Sequence, residues 1–87
     1  MGANLKRGSR LSPEESSSWL RIRMSELGIT SLSELELRSG IDRGSISRYF
    51  RQERIPGVDV IAPLCGALEV APATLLMALG AIERRVR

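Results

Sequence analysis

Arg43, Ser47, Arg48, Arg51 and Arg54 crowd into a dozen positions of this chain, and at helical spacing most of them share one face. A guanidinium is a planar fork of donors that matches the O6/N7 edge of guanine or the oxygens of a phosphate. A serine hydroxyl can donate to either. This is the chemistry of recognition rather than of bond making. The 87 residues include no histidine, no carboxylates at a general acid/base spacing, no phosphate-cradling loop and no nucleophile beside a base, so catalysis is not expected. A single cysteine, Cys65, excludes an internal disulfide, and no Cys/His set exists to hold zinc. Cys65 falls in an apolar helical pattern and is expected to be a buried, inert thiol.

Helices must hold these side chains if they are to act together. The stretch 31–54 reads as two short helices meeting at a sharp turn. Leu32, Leu35 and Leu37 are expected to give the first of them its apolar side, and Gly40 to end it in the left-handed backbone a helix exit needs. Asp42 then caps a second helix that turns Ile46 and Tyr49 inward and Arg43, Ser47, Arg48 and Arg51 outward. Ile41 stands where it can pack on Ile46 as a hydrophobic staple. A tight helix-turn-helix with a basic, small-residue outer face is built to enter a DNA major groove.

Ser31, Leu35, Gly40, Ile41, Ile46, Ser47, Tyr49 and Pro56, followed by the apolar run Leu64, Leu68, Val70, Leu75 and Leu76, resemble the phage repressor/Cro-like (lambda-repressor-like, XRE-type) helix-turn-helix family over roughly Trp19 to Leu79. The resemblance implies an all-α, compact five-helix DNA-binding domain with its helix-turn-helix at helices 2 and 3. It also implies double-stranded DNA as partner and no cofactor. Arg43, Gly44, Ser47 and Arg48 then fall on the part of the third helix that reaches base edges. Arg43 and Arg48 suit guanine, and Gly44 lets the backbone approach closely at a cost of roughly 1 kcal/mol of helix propensity. Arg51 and Arg54 lie past the bases and are expected to bind phosphate. In the family the N-terminus of the second helix abuts a phosphate, and Ser31 and Ser33 sit there. The chain departs from the pattern in three places. Ile29-Thr30 adds about a residue before the second helix. Phe50 and Gln52 replace the glutamate and glycine that often follow the tyrosine. Glu36 fills a slot usually held by a small residue, so it must snorkel out, force the helices apart, or pair with an arginine, for which Arg38, Arg48 and Arg51 are candidates.

The surrounding elements follow from local signals. Ser12, Pro13 and Glu15 form a capping box for a first helix that should run to Leu27 and end at Gly28. Leu20, Met24 and Leu27, with Trp19 alongside, face the core; Arg21 and Arg23 lie off that stripe as solvated charges. Ser31 and Glu34 make a second capping box. A fourth helix opens at Gly57-Val58-Asp59, but Pro63 predicts a kink or a late start. Val60, Ile61, Leu64 and Leu68 should complete the core. Pro72 begins a fifth helix in which Leu75, Leu79, Ile82 and Val86 recur as a heptad-type seam. Packing on the first helix would account for that seam, but a C2 homodimer through it is the expectation. Arg84, Arg85 and Arg87 suit a helix C-terminus. Residues 1–11 are expected to be a flexible basic arm whose Lys6, Arg7 and Arg10 can reach the DNA backbone or minor groove. Residues 12–79 form the helix-turn-helix domain, and 80–87 extend the fifth helix.

Twelve arginines and one lysine against ten acids leave a net charge of +3, modest enough that its placement matters more than its size. No apolar run approaches the ~20 residues that span a bilayer, and no secretory segment follows the N-terminus, so a cytoplasmic protein is expected, with no membrane partner. Two functional readings remain. One is a homodimeric regulator, a repressor at an inverted repeat. The other is an antitoxin-like module that docks a protein partner through the same fold. An outward face of Arg43, Ser47 and Arg48 favours DNA.

Overall fold

The computed structural model describes residues 9–84. Among these the chain forms five α-helices and no strand: α1 Pro13–Glu26, α2 Leu32–Ser39, α3 Arg43–Phe50, α4 Ile61–Leu68 and α5 Pro72–Ala78. The all-α architecture is the expected one. Most boundaries are set by the residues that announced them. Ser12 Oγ accepts from the Glu15 amide at 3.1 Å while Glu15 Oε1 accepts from the Ser12 amide at 2.8 Å, a complete capping box. Ser31 Oγ accepts from the Glu34 amide at 3.1 Å, but the reciprocal half is displaced: Glu34 Oε1 accepts from the Thr30 amide at 3.0 Å. The second bond of the expected box therefore falls one position earlier, on Thr30 instead of Ser31. Gly40 ends α2 at φ +77°, where a Cβ would be strained. Asp42 caps α3 through the Ser45 amide at 3.0 Å.

One core joins all five helices. Leu35, Ile46, Leu64, Leu68 and Leu75 have no exposed surface, and Leu20, Met24, Tyr49 and Leu79 are buried beside them. Ile41 and Leu32 are half-buried against this cluster. Phe50, which takes the family's glutamate position, is 1 % exposed and stacks on Trp19 with ring centroids 6.0 Å apart. That pair ties α3 to α1 by an offset aromatic contact. Trp19 therefore belongs to the core, as its place beside the α1 stripe required.

Pro63 acts as expected. It delays α4, and Val58–Val60 form a 3₁₀ turn in front of it, since a proline is tolerated only within the first turn. Two expectations fail. Leu37 is 85 % exposed, because a residue two positions from Leu35 on a helix lies across its axis from the core. The fifth helix stops at Ala78 with Gly80 at φ +77°, so residues 80–84 do not extend it. Leu75 and Leu79 are buried in the chain's own core, Ile82 is 40 % exposed, and Val86 lies outside the described residues. The heptad seam is thus split between a core and a turn, and intramolecular packing accounts for its buried half. Arg85 and Arg87 also lie outside the described residues.

The two ends of the described segment are pinned to each other. Arg84 donates from its amide (3.0 Å) and its Nε (3.3 Å) to the Ser9 carbonyl, and from Nη2 to Glu15 Oε1 at 2.9 Å. Residues 9–11 of the expected flexible arm are held in this way; its residues 1–8 lie outside the described part.

Candidate nucleic-acid interface

The outer face of α3 begins at its N-cap. Arg43 and Arg48 are exposed, Gly44 and Ser47 half-buried. The two arginines differ in their surroundings. Arg43 donates through Nη1 to Ser33 Oγ, and its Nε lies 4.0 Å from Glu36 Oε1. Glu36 therefore pairs across the turn with Arg43, which was not among the three arginines expected, and α2 and α3 still pack closely on the core. The Arg48 guanidinium has no hydrogen-bond or ion-pair partner among the described residues, although the Arg48 carbonyl accepts from the Glu53 amide at 2.9 Å. Its guanidinium lies over Gly44, where an added Cβ would stand 3.7 Å from both Nη atoms and 2.9 Å from Asp42 Oδ2. Glycine at 44 leaves room for the capping carboxylate and for the head of Arg48.

The phosphate candidates divide similarly. Ser31 spends its hydroxyl as the cap of α2 and Ser33 accepts from Arg43. Arg51, half exposed, pairs with Glu53 at 3.1 Å. Arg54 is exposed and unpaired. At the start of α2, the Thr30 amide and the Arg38 guanidinium both bond Glu34, and these contacts hold its carboxyl below the usual 4.5. Part of the positive field expected there is already answered by this carboxylate.

Several side chains that position the interface carried little signal in sequence. Gln52 adopts φ +60°, a left-handed conformation that favours glycine over a residue with a Cβ. Its Nε2 then donates to the Leu11 carbonyl at 2.8 Å and to Ser16 Oγ at 2.9 Å. Ser17 Oγ donates to the Phe50 carbonyl at 3.1 Å. Together they anchor the end of α3 on the start of α1, and the departure from glycine at 52 was the one available hint. Arg23, expected to be solvated, donates to the Leu68 carbonyl at 2.9 Å and the Glu69 carbonyl at 3.0 Å, closing the C-terminus of α4. Arg21 borders the depression that Ser47 and Arg51 share with α1. Cys65 is half-buried, and burial pushes its thiol up from 9.0, away from the reactive thiolate form.

Among the described residues no single helix is long and apolar enough to cross a membrane. Comparison with curated proteins and with solved structures gives no match. A family model described as helix-turn-helix matches residues 20–75, which covers the second half of α1, all of α2, α3 and α4, and the start of α5. With the capped α2–α3 pair, its turn glycine and the basic outer face of α3, this match places the chain in the HTH_3, Cro/C1-type helix-turn-helix family of DNA-binding regulators.

Proposed function

We propose that the chain is a cytoplasmic transcriptional repressor that binds an inverted-repeat operator as a homodimer, with α3 of each subunit in a major groove. The observation that carries this reading is Arg48. It is exposed on α3, and its guanidinium is seated over a glycine without a hydrogen-bond or ion-pair partner among the described residues. A guanidinium whose donors are all unspent, on the helix that this reading places in the groove, is suited to the O6/N7 edge of guanine. Arg43, braced by Ser33 and Glu36, contributes at the rim of the same face. Ser47 and the Gly44 backbone complete the base-reading surface. Arg51 and Arg54, with the amides at the start of α2 beside Ser31 and Ser33, bind the phosphates that set the register.

Ile55 and Val58 are 91 % and 89 % exposed on the segment between α3 and α4. Apolar side chains so far out of the core favour contact with protein, and a second copy of this chain accounts for them without a different partner. They are also what an antitoxin-like docking role would use. Selection of bound duplexes from a random DNA pool at near-physiological salt separates the two. A palindromic consensus with half-sites about 10–10.5 base pairs apart supports the dimeric repressor. Enrichment of no sequence would move the main role to a protein partner.

A further inference from the structure

We infer that Arg10 and Arg54 together hold one phosphate of the DNA backbone, in a groove at the exit of α3 that Gln52 and Arg84 keep in shape. The inference rests on the DNA-binding reading and adds a specific contact to it. Arg10, Arg54 and Gln52 stand among apolar walls that include Tyr49, Leu79 and the edge of Ile55, and the lining of this groove contains no carboxylate. Both arginines are exposed, and neither has a hydrogen-bond or ion-pair partner among the described residues. Two like charges bordering one concavity without a carboxylate give it a positive field that an anion would answer. The groove lies at the C-terminal end of α3, and the anion that the DNA-binding reading supplies there is a backbone phosphate.

Arg10 would be a loose arm residue if its neighbours were free. They are held on both sides. The Ser9 carbonyl accepts twice from Arg84, and the Leu11 carbonyl accepts from Gln52 at 2.8 Å. These two anchors fix the backbone of Arg10 relative to the end of α3, and so relative to Arg54. Preorganised in this way, the pair binds a phosphate without first ordering an arm. Gln52 and Arg84 act through Arg10 and are positioning residues.

The test is a double-mutant cycle on binding of the full chain to a 24-base-pair random-sequence duplex, followed across a salt titration. Arg10→Ala and Arg54→Ala are each expected to weaken binding by about tenfold and to make the salt dependence shallower by about one unit. Because they share a phosphate, the double variant should lose clearly less than the product of the two losses. Arg38→Ala, which removes the same charge from a side chain already paired with Glu34, is the control. Gln52→Ala should weaken binding in the parent chain and have no effect on binding in the Arg10→Ala background. A merely structural role would show equally in both. Arg10→Ala binding like Arg38→Ala, or a fully multiplicative double variant, overturns the site. A parent chain that binds no duplex at any salt overturns the DNA-binding reading itself.

Discussion

Arg43 Nε stands 4.0 Å from Glu36 Oε1 across the helix-turn-helix, so the residue least suited to this family's helix contact neutralises one of its base-reading candidates. In the DNA-binding pose proposed above, a carboxylate at that place would also repel the DNA backbone. Glu36→Gln is therefore expected to strengthen binding to every duplex several-fold and to steepen its salt dependence, since an exposed pair of this kind contributes only about 0.2–1 kcal/mol to the fold. Fluorescence anisotropy at two salt concentrations measures both. Unchanged binding would mean that Glu36 does not face the phosphates.

Arg48 carries the specificity in this reading. Arg48→Ala should cost about 1–3 kcal/mol on the selected site and relax preference at one base pair. On random DNA the loss should be confined to its charge. Equal losses on both duplexes would remove Arg48 from base readout and make it another phosphate contact.

Gln52 combines a costly backbone with two long-range hydrogen bonds. Gln52→Ala keeps the left-handed backbone and discards the bonds to Leu11 and the buried Ser16, which should cost about 1–2 kcal/mol. Gln52→Gly recovers roughly 1 kcal/mol of backbone strain and should lie closer to the parent. Gly80→Ala is expected to be worse than either. Its Cβ would meet Gln52 Nε2 and Leu11 O at 2.3 and 2.9 Å from a backbone at φ +77°. Urea unfolding orders the three.

Acid should loosen both capped helices. Glu15 is held below the usual 4.5, first by the Ser12 amide and then by Arg84; Glu34 is held below it, first by the Thr30 amide and then by Arg38. A carboxyl with a depressed folded pKa contributes stability that is present above 4.5 and lost as pH falls through the folded value. Glu34→Gln should lower the melting temperature at pH 7 and have progressively less effect as the pH is taken below 4.5. An effect independent of pH would assign the contribution of Glu34 to shape rather than charge.

For the dimer, the segment after α3 replaces the fifth helix as the surface to test. Val58→Glu and Ile55→Glu leave the core untouched and are expected to reduce the sedimentation coefficient toward that of a monomer. Leu79→Glu, by contrast, buries a charge in the core and should unfold the chain. If both exposed-residue variants sediment like the parent, this segment is not the subunit interface.

What the amino-acid order determined by itself was whatever acts within a turn or two of chain. Ser12 with Glu15, Gly40, Asp42, Pro63 and Pro72 mark helix ends because caps and breakers act on amides three or four residues away. The helix-turn-helix and its basic outer face were legible for the same reason. Tertiary structure decided what depends on distant partners. Leu75 and Leu79 fit a dimer seam as well as a core, and only the packing of α5 on its neighbours buried them within one chain. Glu36 had several arginines within reach in sequence, and the angle between α2 and α3 selected Arg43. Gln52 and Arg84 hold carbonyls 41 and 75 residues away, contacts that no local pattern announces. They exist because the fold brings residues 9–11 and Arg84 together beside the exit of α3.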